Sequence, residues 1–352
     1  MIIKSLSMEN FRNYENQKIE FDSGKNVFFG LNGQGKTNII EALYYFCTCK
    51  SFRSVNDKEV IRFGSEYSHI RIEFETGGRL NTADIYISEK KSVKINGINL
   101  ERLSELIGMT NMVIFTPEHL NLIREGPGVR RSFIDVFISQ IKPQYFSCLI
   151  DYYKVLKQRN NMLKNPKMLS TVDIWNEKLA ELGIKICKYR KDALSVMDEC
   201  IKKYSKEEII DIVYCPSVRG DSTDKENFLK RLKESFERDK EKGITMTGPH
   251  RDDFDVLIGG HSLKKYGSQG QTRSSVLKIK LCECEIIKNI TGEEPVLLLD
   301  DVLSELDEKR RKYFSESMRG RQVIITCTDR EYADGEYGSY FLVQKGNAEQ
   351  IF

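Results

Sequence analysis

No stretch of this sequence approaches the roughly 20 consecutive apolar residues that a membrane-spanning helix requires, and Val296 to Leu299 has only the length of a buried strand. No span is expected, and no membrane partner. The segment MIIKSLSMENFRNY lacks both an apolar stretch of about 7 to 15 residues and a small-residue cleavage site, so the expected compartment is the cytoplasm. An excess of one charge is also missing: 55 Lys and Arg stand against 52 Asp and Glu, a net +3, which excludes a highly basic nucleic-acid coat protein. Proline is scarce at 7 residues, and 40% apolar content with balanced charge excludes a disordered polymer. The nine cysteines lack zinc-knuckle spacing, since Cys47/Cys49 and Cys282/Cys284 are separated by a single residue. They are expected as reduced, buried small hydrophobes.

At about 100 to 200 residues per domain, 352 residues suggest two or three structural units. Residues 1 to 115 read as strands and turns: IIKSLSMENF, QKIEF, NVFFG, HIRIEFE, ADIYIS and VKINGINL alternate apolar and polar residues, which predicts one mixed sheet with hairpins. The exception is Lys36 to Thr48, where near-helical spacing follows a glycine-rich turn. Helical patterns take over from about Pro127 to Tyr204. There Trp175, Leu179, Leu182, Ile186, Tyr189, Ala193, Val196 and Cys200 follow a heptad seam, with Ser170 and Asp173 as a capping box at its start. IIDIVY and TGPHRDDFDVLIGG are then expected to resume the sheet. From Gly267 the order glycine loop, helix, apolar strand, helix, strand is that of a parallel α/β core. The expected fold class is therefore α/β, a mixed sheet with a parallel core and an inserted helical arm. Its parts are 1–127, the arm 128–206, and 207–352.

Residues 30 to 37, GLNGQGKT, fit the phosphate-binding pattern G-x-x-x-x-G-K-[ST], between a strand NVFF and a helix NIIEALYYF. Gly30, Gly33 and Gly35 let backbone amides bend around phosphate oxygens, and the helix N-terminus adds donors and a favourable dipole. Leu31, Asn32, Gln34 and Asn38 complete the loop. Lys36 would reach the terminal phosphates, and Thr37 would give its hydroxyl to Mg²⁺, which needs one or two protein ligands. The strand Val296–Leu299 delivers Asp300 and Asp301 to its carboxyl end, where ligands bind in open α/β sheets. Asp300 suits the second Mg²⁺ contact and Asp301 the water-activating base. As an alternative, the acids could cap the next helix, although Ser304 is the better cap candidate. Ser268, Gln269, Gly270 and Gln271 open another helix and offer a second set of terminal amides to a phosphate.

The order P-loop, helical insertion, SQGQ loop, aspartate pair and SELD (304 to 307) resembles the ATP-binding-cassette superfamily. The 233 residues separating Gly35 from Ser268 suit heads of the SMC type, with an inserted arm, better than a transporter ATPase. NFRNY (10 to 14), FTPEHLNLIREGP (115 to 127), RRSFID (130 to 135), TGPHRDD (247 to 253), SQGQ with Arg273, and LLLDDVLSELD (297 to 307) resemble the bacterial RecF family.

That resemblance implies a P-loop NTPase head with ATP and Mg²⁺ as cofactors, and an ATP-dependent homodimer whose signature loops cover the partner's γ-phosphates. It implies a weak, DNA-stimulated ATPase acting as a switch in recombinational repair and replication-fork maintenance, nucleoid-associated in the cytoplasm. The expected partners are gapped duplex or single-strand/double-strand junctions, RecO and RecR, and indirectly RecA. Carried over, Ser268 to Gln271 are the signature loop, Asp300 the Walker B acid, Asp301 the catalytic acid, and Ser304 to Asp307 the D-loop. Asp301 departs from the superfamily's glutamate, and a base displaced by about 1 Å can cost roughly a hundredfold, so slow turnover is expected. QVIIT ends in Cys327 and Thr328 without a switch histidine, and Glu118 is the nearest substitute for a Q-loop glutamine.

Between Asp151 and Lys191, ten Lys or Arg stand against four acids. Such a face could track phosphates, with Lys185, Lys188 and Lys191 as candidate contacts, or be a solvated helix surface. Arg130 and Arg131 fit DNA contacts or salt bridges equally, and His250 and Arg251 fit a phosphate sensor or a loop brace. A small-molecule kinase and a transporter ATPase subunit are the competing readings; a GTPase is disfavoured because no N-K-x-D motif is present.

Overall fold

The computed structural model describes residues 1–54, 56–102, 105–165, 171–205, 209–329 and 338–351. In chain order, the first part gives β1 (Ile2–Phe11), β2 (Tyr14–Glu20), β3 (Lys25–Phe29), α1 (Lys36–Thr48), β4 (Ser68–Thr76), β5 (Arg79–Ile87), β6 (Lys91–Ile95), β7 (Ile98–Asn99) and β8 (Met112–Phe115). Next come α2 (Pro127–Ile141), α3 (Pro143–Leu163), α4 (Val172–Tyr204), β9 (Ile210–Cys215), α5 (Lys225–Glu234), α6 (Phe236–Lys242), β10 (Asp253–Ile258), β11 (His261–Ser262) and α7 (Leu263–Tyr266). The series ends with α8 (Gln269–Thr291), β12 (Val296–Asp300), α9 (Glu308–Ser317), β13 (Val323–Cys327), β14 (Ser339–Gln344) and β15 (Asn347–Gln350). Two compact units result: Met1–Leu120 with Lys280–Phe352, and Asn121–Ile279.

In the first unit the strands form two sheets rather than the single mixed sheet expected. One is an antiparallel meander, β2-β1-β4-β5-β6-β7; the other, β15-β14-β3-β13-β12-β8, is parallel except for its edge strand β15. Burial separates them. Strands of the meander alternate buried and open residues, as in Ile70, Ile72 and Phe74 of β4, because one face meets water. In β8, β12 and β13 every residue is buried, which matches a parallel sheet covered on both faces. This second sheet brings the ends of β3, β12 and β13 side by side, with Asp300 paired to Thr326 and Cys327 to Phe29.

The second unit joins α2 to α7 to a three-stranded antiparallel sheet, β11-β10-β9. Two expectations are corrected here. IIDIVY and DFDVLI do not resume the first unit's sheet; they pair with each other, in the register Ile210 to Ile258 through Cys215 to Asp253. The unit boundaries fall at 120/121 and 279/280 instead of 127/128 and 206/207, since β9 is tied to α4, where Asp198 Oδ1 accepts from the Ile212 amide at 2.6 Å.

The heptad seam on α4 is only half right. Leu179, Ile186, Ala193 and Cys200 are buried, but Trp175, Leu182 and Tyr189 are partly open and Val196 is 44% exposed. The other buried row is Asn176, Gly183, Arg190 and Met197. Three of those four residues are not apolar, so a hydrophobic count skips them. Ser170, the expected cap, lies outside the described residues.

Gly183 is in that row because its neighbour needs the room: a Cβ there would stand 2.5 Å from Cζ of Phe228 on α5. Gly183→Val is expected to cost about 1–3 kcal/mol through overpacking, although leaving glycine by itself favours a helix by up to about 1 kcal/mol. Urea midpoints measure this, and an unchanged midpoint would show that Phe228 swings away at no cost.

Candidate nucleotide-binding site

The loop between β3 and α1 depends on glycine at both ends. Gly30 has φ 142°, and a Cβ there would stand 2.6 Å from the Val343 carbonyl oxygen; Gly35 caps α1 with φ 117°, and its Cβ would meet the Asn13 side chain at 2.8 Å. Both positions combine left-handed backbone with close approach, so no other residue fits without strain. Lys36 Nζ donates to the carbonyls of Gly30 (2.6 Å) and Leu31 (3.0 Å). A phosphate oxygen can replace those carbonyls in a stronger, charge-assisted bond. Burial pushes the Lys36 pKa down, opposed by the negative charges of Asp301 and Asp300 among its neighbours.

The residues at the end of β12 complete the site. Asp300 Oδ1 accepts from the hydroxyls of Thr37 (2.9 Å) and Thr326 (2.7 Å), while burial raises its pKa against those two bonds. Thr37 and Asp300 thus present an adjacent hydroxyl and carboxylate, the oxygen donors that suit a hard, octahedral Mg²⁺. Asp301 turns out of the strand at φ 49°, its amide held by the Thr326 carbonyl at 3.1 Å. Burial raises its pKa, Lys36 lowers it, and Asp300 raises it again. Ser304 Oγ donates to the Asp301 carbonyl at 2.8 Å, so Ser304 is not the helix cap expected; Asp307 caps α9 by accepting from the Arg310 amide. Cys327, at the end of β13, is buried and its thiol is pushed up to about 12. Glu118 is exposed in the 3-10 turn Pro117–Asn121.

A brace around the loop escaped the sequence reading. Asn13 Nδ2 donates to the Gln34 carbonyl (2.8 Å), Asn38 Nδ2 to Asn13 Oδ1 (2.7 Å), and Arg53 Nη1 to Asn38 Oδ1 (2.8 Å). Arg12 forks onto Glu41 of α1 through Nε (2.9 Å) and Nη2 (2.5 Å). The amides of Lys345 and Gly346 hold Gln34 from the β14–β15 turn. The signal that could have found it is NFRNY, which carries two of these polar side chains, Arg12 and Asn13, side by side.

A family model described as "RecF/RecN/SMC N terminal domain" matches residues 2–345. The "DNA replication and repair protein RecF" of Ruminiclostridium cellulolyticum is 44% identical over 349 residues, covering 94% of each chain. The protein of the same name from Acetivibrio thermocellus is 40% identical over 365 residues, covering 98% of this chain and 99% of its own. The chain belongs to the RecF family. A solved structure described as "the recombination mediator protein RecF-ATP in RecFOR pathway" superposes with a TM-score of 0.92 at 36% identity, over 100% of this chain and 98% of that one. An SMC head from Pyrococcus furiosus reaches 0.53 at 14% identity, which shows the shared fold of the RecF family and SMC heads.

The RecF-family segments RRSFID, TGPHRDD and SQGQ lie in the second unit. Ser268 and Gln271 form a reciprocal capping box on α8: Ser268 Oγ accepts from the Gln271 amide and Gln271 Oε1 from the Ser268 amide, both at 3.1 Å. That leaves Gln269 exposed and Gly270 partly open at the tip. Arg130 is corrected as a DNA candidate. It is 3% exposed, forks onto Asp253 at 2.6 and 2.8 Å, and gives Nη1 to the carbonyls of Leu122, Ile123 and Glu125. Arg159 and Arg190, counted in the arm's basic excess, are also buried and paired. Lys185, Lys188 and Lys191 remain exposed on α4. No helix among the described residues is long and apolar enough to cross a membrane, and all nine cysteines are free thiols, seven of them buried.

Proposed function

We propose that this RecF-family chain is an ATP-dependent DNA-binding protein of recombinational repair and replication-fork maintenance, dimerising on ATP and hydrolysing it slowly to reset. The observation that carries the reading is the Thr37 to Asp300 hydrogen bond of 2.9 Å beside the lysine that begins α1. In it, Lys36 and the α1 amides bind the β- and γ-phosphates. Thr37 and Asp300 would hold Mg²⁺, which when bound would neutralise charge developing on the phosphates. Asp301, half-buried and within the field of Lys36, accepts the proton of the attacking water. Its side chain is one methylene shorter than glutamate, which fits a slow switch more than a motor.

The exposed lysines of α4 supply sequence-independent phosphate contacts at gaps or junctions, and the signature loop Ser268–Gln271 closes over the nucleotide of a second copy. RecO and RecR are the partners and RecA loading the outcome, in the cytoplasm near the nucleoid. The ATP and the recombination pathway named for solved RecF relatives support this reading.

The test is light-scattering mass with and without ATP·Mg²⁺ on Asp301→Ala, followed by gapped duplex. Doubling only with ATP, with DNA taken up by the dimer, is expected; a monomer that ignores DNA overturns the reading. For the arm, reversing Lys185, Lys188 and Lys191 to Glu should lower the salt slope of duplex binding by about 2 to 3. An unchanged slope would remove α4 from the interface.

A further inference from the structure

The TGPHRDD loop of the second unit carries an exposed cation, Arg251, that no carboxylate among the described residues pairs with. Arg251 is exposed, and its Nη2 meets Met246 Sδ at 3.7 Å. Arg131 of α2 reaches the same loop, donating from Nη1 to the Asp252 carbonyl at 2.7 Å. Neither forms an ion pair with a described carboxylate. Three acids of the same region, Asp252, Asp253 and Asp135, are engaged by other partners. Asp252 accepts from Tyr214 (2.5 Å), Arg190 (3.2 Å) and the Ser217 amide (2.8 Å); Asp253 is held by Arg130, and Asp135 by Arg190 and Tyr145.

Beneath the two guanidiniums lies His250, whose Nε2 donates to the Thr245 carbonyl at 2.9 Å, so that Nδ1 accepts from Tyr152 at 2.8 Å. Burial, aided by the charges of Arg251 and Arg131, pushes its pKa down to about 4, so the ring stays neutral and adds no charge. Next to Tyr152, Tyr153 is 44% exposed, its ring set edge-on to Tyr152 at 5.9 Å. Arg131, partly open, lies close enough to act electrostatically on both His250 and Tyr153, and Arg251 on His250, so the two guanidiniums gather about His250 with the open ring of Tyr153 near Arg131.

We propose that Arg131, Arg251 and Tyr153 form a single-stranded DNA contact, the guanidiniums taking phosphates and the Tyr153 ring stacking on a base. Guanidinium forks match phosphate geometry, and a base stacks on an aromatic ring whatever its sequence. A duplex keeps its bases stacked on one another and has none to give the ring, so the single strand of a gap or junction is the ligand favoured. This deepens the DNA-binding reading and rests on it.

Anisotropy of labelled oligo-dT and of a duplex of equal length, with the full chain and ATP·Mg²⁺ over a salt series, tests the site. The pair Arg131→Ala with Arg251→Ala should weaken oligo-dT binding at least tenfold and lower its salt slope by roughly 1.4, two phosphates at about 0.7 each. Tyr153→Ala should weaken oligo-dT binding by roughly fivefold to a hundredfold with the slope unchanged, spare the duplex, and be rescued by Tyr153→Phe. Arg251→Ala alone, which removes only the sulfur contact, keeps the test valid should the pair fail to fold. Wild-type binding that these variants leave unchanged overturns the site while the DNA-binding reading stands. Loss of ATP affinity with DNA affinity intact also overturns it, in favour of a nucleotide phosphate. A wild type that binds neither DNA overturns the DNA-binding reading itself and this site with it.

Discussion

Lys36→Ala is expected to lower ATP affinity by about a hundredfold or more and to leave no measurable hydrolysis. The ammonium makes two hydrogen bonds, to Gly30 and Leu31, and both are exchangeable for phosphate oxygens. A hydrogen bond to a charged group contributes about 1.5–3 kcal/mol, and two of them correspond to two or more decades of affinity. Alanine keeps the helix start, so Gly35 and the amides of α1 remain in place and any loss reports the charge. Asp301→Ala is the complement: Asp301 reaches no hydrogen-bond donor in the loop, so nucleotide should still bind while turnover falls. Titration with a fluorescent ATP analogue separates the two. Equal affinity in wild type and Lys36→Ala would end the P-loop assignment.

Arg190→Leu should destabilise the second unit by about 3–5 kcal/mol, the cost of leaving buried charge uncompensated. Arg190 is 1% exposed and serves four groups at once: Tyr145 Oη (3.0 Å), the Pro249 carbonyl (2.6 Å), Asp252 (3.2 Å) and Asp135 (2.8 Å). Without it, Asp252, itself 1% exposed, keeps Tyr214 and the Ser217 amide but no counter-charge. Arg190→Lys should recover only part of the loss, since one ammonium cannot span four acceptors held in a fork geometry. Trp175, the one tryptophan of the sequence, lies on the same helix under Lys178 at 5.3 Å and reports that unit's unfolding. A urea midpoint unchanged in Arg190→Leu would show that the network contributes nothing net.

The candidate nucleotide site was the most legible part of this chain, because its residues stand at short range in the sequence. Gly30, Gly33, Gly35, Lys36 and Thr37 lie within eight residues, and Asp300 and Asp301 follow a run of apolar residues that reads as a core strand. Local backbone demands, positive φ at the glycines and burial along β12, leave little freedom about where those residues stand. The bounds of α1 were legible for the same reason.

Charge was not legible, because a sequence does not state which side chain meets which. Arg130, Arg131, Arg159 and Arg190 look alike beside Lys185 and Lys188, yet Arg159 pairs with Asp239, 80 residues away, and Arg130 with Asp253, 123 residues away. Strand pairing was hidden likewise: β3 and β8 stand among the meander's strands in sequence but join β12 and β13. The residue pattern by itself determined that there is a glycine-rich loop between a strand and a helix, a carboxylate pair at a strand end, and a largely helical middle segment. Only the tertiary structure decided which cations face solvent and which are locked inside, because desolvation cost and partner geometry arise from residues that meet only after the chain has folded.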